Sequence, residues 1–314
     1  MSRLAANSLL LLAALIWGGG FIAQATAMAK TGPLAFIGAR FLVAAIALLP
    51  FALRERTGAG SLALSRGKTA GIAGGSAGDG PAGILALVAL AFLAAQTVQQ
   101  FGIVHTSVTN VGFLTTLYVV MVPVLAIALY GEWPHLAVWP AAALAMIGAW
   151  LLTGGIESIR AGDLLAVVCA FFWALHVVFV GRAVAVTGRP VGVVFVQCLA
   201  TGLAAGVAAL VLEPVAIGAL TAAWPEILFA GAVSGGLAFA LQAIGQRHTR
   251  AADAAIILSA EAPFAALFAA LLLGERMDPA GWGGVVAIFA AVLAVQLAPI
   301  RGSRRRATVA EPLL

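Results

Sequence analysis

Charge is scarce in this sequence. Of 314 residues only 9% are Asp, Glu, Lys or Arg, where a soluble domain carries about a quarter. Twelve acids and seventeen bases cannot supply the polar skin that a water-soluble globule of this length needs. That excludes an ordinary cytosolic enzyme and a disordered chain. It excludes a nucleic-acid binder too, although the isoelectric point is near 10.0. Cysteine is almost absent. Cys169 and Cys198 both sit inside apolar runs, so neither a disulfide framework nor a metal site is encoded. Lysine occurs only at Lys30 and Lys68. Arginine supplies the other bases and, with the surplus of Ala and Gly, points to a GC-rich bacterial genome. A nucleotide loop is missing as well. Gly67-Lys68-Thr69 has the end of a phosphate-binding motif, but position 62 holds Leu62 where the motif needs Gly. There is no zinc spacing, no nucleophile elbow and no carboxylate pair suited to hydrolysis. The expectation is a non-enzyme without cofactor, metal, nucleotide or nucleic acid.

What is abundant is apolar: 63% of residues, with a mean hydropathy of +1.09. A bilayer core of ~30 Å is crossed by about 20 apolar residues in a helix. Ten segments approach that length: 8–28, 34–53, 82–104, 111–130, 136–153, 163–181, 191–212, 226–246, 254–273 and 280–300. Gly and Pro break the chain between them, as in Thr31-Gly32-Pro33, Gly131-Glu132-Trp133-Pro134, Gly188-Arg189-Pro190 and Gly274-Glu275-Arg276. Residues 54–81 read as one long Gly-, Ser- and Arg-rich loop, and the tail after Pro299 as polar and unstructured. The first segment has Arg3 and Ala-x-Ala triplets, as signal peptides do. Its length and its place in the repeat below make it a retained helix. Thirteen bases fall on the side of the N-terminus and tail against three on the other, with Arg40 inside a span. The bias places both termini in the cytoplasm.

The chain repeats itself. At a shift of 143, Gln99 meets Gln242, Gly102 meets Gly245, and His105-Thr106 meets His248-Thr249. Gly131-Glu132 meets Gly274-Glu275, and Trp139 meets Trp282. At a shift of 156, Trp17 meets Trp173. The reading is two five-helix halves, 1–156 and 157–314. Five is odd, so the second half enters the membrane upside down. Inverted repeats of this kind characterise secondary transporters, because two similar halves can exchange conformations about a shared site.

Several motifs resemble a known family. They are Trp17-Gly18-Gly19-Gly20-Phe21, Ala39-Arg40-Phe41-Leu42-Val43-Ala44, Pro123 running into Gly131-Glu132, and Glu261-Ala262-Pro263 running into Leu273-Gly274-Glu275-Arg276. In order and spacing they are similar to the drug/metabolite transporter superfamily, EamA branch. Ala262 stands between Glu261 and Pro263 where family members often have Glu directly before Pro. The resemblance implies an all-α membrane protein of ten helices that moves small metabolites, often exporting amino acids across the bacterial inner membrane.

Polar groups inside spans mark the candidate site, since hydrocarbon penalises them. Glu261 lies about eight residues, or ~12 Å, into its span. It is a candidate for binding an amine or carrying a proton, against a neutral carboxyl between packed helices. Gln96, Gln99 and Gln100 share one helical face, and Gln242 repeats the theme. Thr115, Tyr118 and Ser259 extend it, with Tyr118 aligned on Glu261. These groups either line a cavity or bond helix to helix. Trp17, Trp173 and His176 sit in mid-span, away from the helix ends where Trp anchors, and either wall a cavity or pack a core. Gly18, Gly19 and Gly20 let the first helix bend or approach a neighbour, and Pro123 and Pro263 are expected kinks. Gly202-x-x-x-Gly206 and Gly231-x-x-x-Gly235 are close-packing signals. Arg40 reads more simply as a snorkelling side chain than as a carboxylate attractor. The composite expectation is a monomeric exporter of neutral or aromatic amino acids that alternates access around a central cavity. Its partners are a small-molecule substrate, the lipid bilayer and a possible proton. A multidrug or lipid exporter of the same fold, an intramembrane enzyme and a non-transporting scaffold are the rivals.

Overall fold

The computed structural model describes residues 1–58, 80–105, 114–154, 161–273 and 277–298. Most of the 54–81 loop, Arg160, the Gly274-Glu275-Arg276 turn and the tail from Pro299 lie outside the described residues. The helices are α1 (Arg3–Met28), α2 (Pro33–Gly58), α3 (Pro81–His105), α4 (Tyr118–Tyr130), α5 (Val138–Thr153), α6 (Ala161–Thr187) and α7 (Pro190–Leu212). Then come a short helix Ile217–Ala222, α8 (Trp224–Gln246), α9 in two pieces (Ala251–Leu258 and Glu261–Leu273) and α10 (Pro279–Leu297). Eight of these are long and apolar enough to cross a membrane, and the shorter α4 and α5 complete ten spans. No strand occurs among the described residues. Lipid leaves a backbone no water to bond, so the chain satisfies its own amides within helices.

The helices pair by a two-fold rule. α2 packs most extensively on α7, and α5 on α10. α3 lies on α6 as α1 lies on α8, and α4 lies on α6 as α1 lies on α9. Exchanging each of the first five helices for its mate in the last five leaves this pattern unchanged. The fold is all-α, with ten membrane helices in two inverted five-helix repeats.

The α2–α7 pair shows the inversion in atomic detail. The two helices run antiparallel, and each starts with a proline at its first position, where a missing donor costs nothing. Beyond the end of α7, Glu213 accepts the amides of Leu34 (2.8 Å) and Ala35 (2.9 Å) at the start of α2. Near the end of α2, Glu55 accepts those of Val191 (3.2 Å) and Gly192 (2.8 Å) at the start of α7. Each helix thus caps the orphan donors of the other, with a carboxylate at the positive end of the helix dipole. Small residues let the pair close. A Cβ on Gly38 would lie 2.8 Å from the backbone of Gly206, and one on Gly202 would lie 2.8 Å from the amide nitrogen of Leu42.

The outer surface is apolar: Ile46, Leu90, Leu210, Leu271 and Val286 are all exposed. Trp133, Trp139, Trp150, Trp224 and Trp282 are exposed too, most of them near helix ends where an amphipathic ring suits the lipid–water boundary. The remaining two tryptophans, Trp17 and Trp173, are turned inward.

The glycine contacts make a paired test. Gly202→Ala should lower the thermal midpoint in detergent, by about 1–3 kcal/mol of overpacking. Gly206→Ala, whose Cβ would meet nothing within 4 Å, should leave it unchanged or raise it slightly. Equal effects would contradict the packing described.

Candidate functional site

Two helices are interrupted at equivalent depths. The fourth span makes a tight turn at Thr116-Leu117 and resumes as α4 at Tyr118. The ninth turns at Ser259-Ala260 and resumes at Glu261. These positions coincide under the 143-residue shift. Local backbone bonds bridge each break. Leu117 N bonds Leu114 O (3.2 Å), Val119 N bonds Thr116 O (3.0 Å), Ala260 N bonds Ile257 O (3.3 Å) and Ala262 N bonds Ser259 O (3.2 Å). Tightened turns of this kind are tolerated inside a membrane where they border a cavity. Pro263 falls in the first turn after its break, where its absent donor is harmless. Pro123 lies inside α4, six residues after the interruption. α1 runs without interruption through Gly18 to Gly20. A Cβ on Gly18 would lie 2.7 Å from Ala265 N, and one on Gly20 would lie 2.8 Å from Ser234 Oγ, so these two glycines serve close packing.

Between the halves lies a cavity with about 600 Å³ of atom-free space, its mouth included. Trp17, Phe21 and Gln24 reach it from α1, Arg40 and Phe41 from α2, and Gln96 and Gln99 from α3. Thr115 and Tyr118 come from the fourth span, Trp173 from α6, Ser234, Phe239 and Gln242 from α8, and Glu261 from α9. Both Tyr118 and Glu261, the first residues after the two breaks, therefore face the same space. The aromatic wall is bonded in place. Trp173 stacks on Phe239 with centroids 5.9 Å apart, and Trp17 leans on Phe239 at 4.7 Å. Trp173 Nε1 donates to Gln99 Oε1 (3.1 Å), and Trp17 Nε1 donates to Ser234 O (3.1 Å). That carbonyl belongs to a π-helical stretch, Phe229–Ala238, where wider winding accompanies three glycines packed toward α2.

Three expected wall residues are elsewhere. Gln100 is fully buried but off the cavity, because it lies about 100° round the helix from Gln99 and the cavity takes only the sector of Gln96 and Gln99. His176 stands behind the wall, 5.4 Å from the Trp173 ring, with Nε2 2.9 Å from Gln197 Oε1. Ser259 spends its hydroxyl on Ile256 O (2.7 Å), inside the helix break.

Arg40 corrects the snorkelling expectation. It is 2% exposed and points into the cavity, where Nη2 donates to Gln96 Oε1 (2.6 Å). Its guanidinium lies over Phe41 (4.6 Å) and Phe36 (5.0 Å). Gln24, Ser234 and Phe239 line the cavity without being singled out in the sequence, and Phe21 enters there only as part of a motif. Gln24 carried a usable signal, a polar residue within a span; the two Phe residues carried none among so many apolar neighbours. Ion pairs among the described residues, Arg3–Asp253 and Lys30–Glu226, lie outside the cavity. The Glu261 side chain has no hydrogen bond or ion pair with another described residue.

The cavity is lopsided. Gln24 and Arg40 are near the membrane face where α1 ends, beside Lys30, while Val177, Gln242 and Leu258 form its deep end. Below them a second cavity, lined by Arg182, Gln246, Arg247, His248 and Arg250, opens near the opposite face. A short polar chain separates the two. Gln242 Nε2 donates to Gln246 Oε1 (3.0 Å), and Gln246 Nε2 donates to Val177 O (2.9 Å).

This layering yields a side-resolved prediction. In sealed vesicles, Gln24→Cys and His248→Cys should react with an impermeant thiol reagent from opposite sides. Native Cys169 and Cys198 are buried and should stay silent. Reaction of both introduced thiols from one side would rule out the arrangement.

Comparison with known proteins agrees with this geometry. The EamA-like transporter family matches residues 4–154 and again 160–297. An "Uncharacterized transporter" of Archaeoglobus fulgidus is 28% identical over 297 residues, covering 95% of this chain and 87% of that protein. A solved crystal structure superposes with a TM-score of 0.73 at 17% identity, covering 94% of this chain and 98% of the other, which shows a shared fold. The chain is a multi-pass membrane transporter and belongs to the EamA-like transporter family.

Proposed function

We propose that this chain is a secondary transporter that exports small amphiphilic metabolites, neutral or aromatic amino acids foremost, across a bacterial inner membrane. The halves 1–156 and 157–314 alternate about the cavity, with both termini in the cytoplasm. One observation carries the substrate class: a single cavity presents stacked indole and phenyl rings beside amides and a carboxylate. Rings suit an apolar or aromatic side chain, and the polar groups suit the backbone end of an amino acid. The inverted pairing supports the mechanism. A site at the seam of two exchangeable halves can face one side and then the other without being rebuilt. Glu261 is the group for a substrate amine or a coupling proton, because its carboxylate faces the cavity and no other described residue neutralises it.

Proteoliposomes preloaded with a panel of amino acids test this. Counterflow of neutral or aromatic members is the expected result, and none for any member would remove the substrate claim. Competition by hydrophobic cations in place of amino acids would favour a drug exporter. Glu261→Gln should abolish flux driven by a pH gradient while sparing exchange. An unaltered pH dependence would remove its role with protons.

A further inference from the structure

We propose that Arg40 is the anchor for the substrate's carboxylate, and that the cavity therefore binds a zwitterion in one orientation. This rests on the amino-acid reading above and names a residue for it. A guanidinium keeps its charge in any protein and carries five N–H donors. Burying one away from an anion is costly, and Arg40 is almost wholly buried. What surrounds it does not balance it. Gln96 offers one carbonyl oxygen to Nη2, while Phe36 and Phe41 offer only ring faces. Nε has no hydrogen-bond partner, and no carboxylate among the described residues lies at ion-pair distance.

The rings and the amide fix how the guanidinium lies. Phe36 and Phe41 lie against the guanidinium at π-contact distance, and Gln96 holds one of its corners. The planar edge is the part suited to the parallel pair of bonds that a carboxylate makes. The same cavity holds Glu261, whose carboxylate is without a cationic partner among the described residues. One wall thus lacks an anion and another lacks a cation. By helix rise, Arg40 lies about 10 Å and Glu261 about 18 Å from the ends of their spans at the Lys30 face. A bound amino acid would set its carboxylate toward that face and its ammonium toward the membrane centre. Trp17, Trp173 and Phe239 would then enclose its side chain. A hydrophobic cation satisfies Glu261 but leaves Arg40 bare, so this polarity separates the two ligand classes.

The test uses the intact protein in detergent or nanodiscs and three probes: L-phenylalanine, 3-phenylpropionate without the amine, and phenethylamine without the carboxylate. Binding is read by tryptophan fluorescence and by ligand-induced thermal shift. Arg40→Gln should weaken L-phenylalanine and 3-phenylpropionate by about tenfold or more, the weight of a charge-assisted bond. Phenethylamine should be unaffected. Glu261→Gln should weaken phenethylamine and spare 3-phenylpropionate. If Arg40→Gln loses all three probes through misfolding, Arg40→Lys decides. Weaker 3-phenylpropionate with phenethylamine intact supports the anchor, and parallel behaviour of the two overturns it. Carboxylates that bind Arg40→Gln as tightly as wild type overturn it, as does a wild type that binds neither carboxylate. L-phenylalanine bound and transported without regard to Arg40 would sink the anchor and leave the export reading standing. Arg40-dependent binding of 3-phenylpropionate with no amino acid transported would do the reverse.

Discussion

Hydrocarbon offers no hydrogen bonds, and the architecture follows from that one constraint. Each amide must find a partner in the chain, so the backbone is helical, and even its two interruptions are closed by local bonds. Every ionisable group within the membrane must face inward or reach an interface. Arg40 and Glu261 turn to the interior, as do the amides of Gln96, Gln99 and Gln242. Expelling polar groups from lipid therefore also assembles a polar site at the seam of the two halves.

Duplication and inversion determine which groups meet there. The half-helices that begin at Tyr118 and Glu261 occupy corresponding positions, yet one brings a phenol and the other a carboxylate. Trp17 and Trp173 also correspond, and each indole N–H is held by the opposite half's helix or by an amide across the cavity. The helix pairing is symmetric, while the chemistry on the cavity walls is not. That difference allows one small molecule to be held with a defined head and tail. The reciprocal caps of Glu55 and Glu213 fasten α2 to α7 at both ends, beside the cavity.

Much of this was legible in the residues. Spans follow from runs of apolar side chains, and their ends from Gly and Pro. The inverted repeat follows from polar and aromatic matches, which mean more than apolar ones in an Ala-rich chain. Trp17, Gln99, Tyr118, Trp173, Gln242 and Glu261 could be singled out because each is expensive or unusual in mid-membrane, and all of them line the cavity. Misplacements have a common origin. Gln100, His176 and Ser259 are as polar as the wall residues, but bonding between and within helices also consumes polarity, and one dimension does not separate the two uses. Arg40 erred the other way: six residues from a span's end, its side chain could have reached water.

Periodicity and the cost of burying charge thus settled which segments cross the membrane, how many there are and that the halves oppose each other, because these depend on composition along a helix. Which sector of each helix faces the seam, where the fourth and ninth spans break, and that a guanidinium and a carboxylate share one cavity were decided only by tertiary packing. Those depend on rotations of helices about their axes, and such rotations are fixed by contacts between residues far apart in the chain.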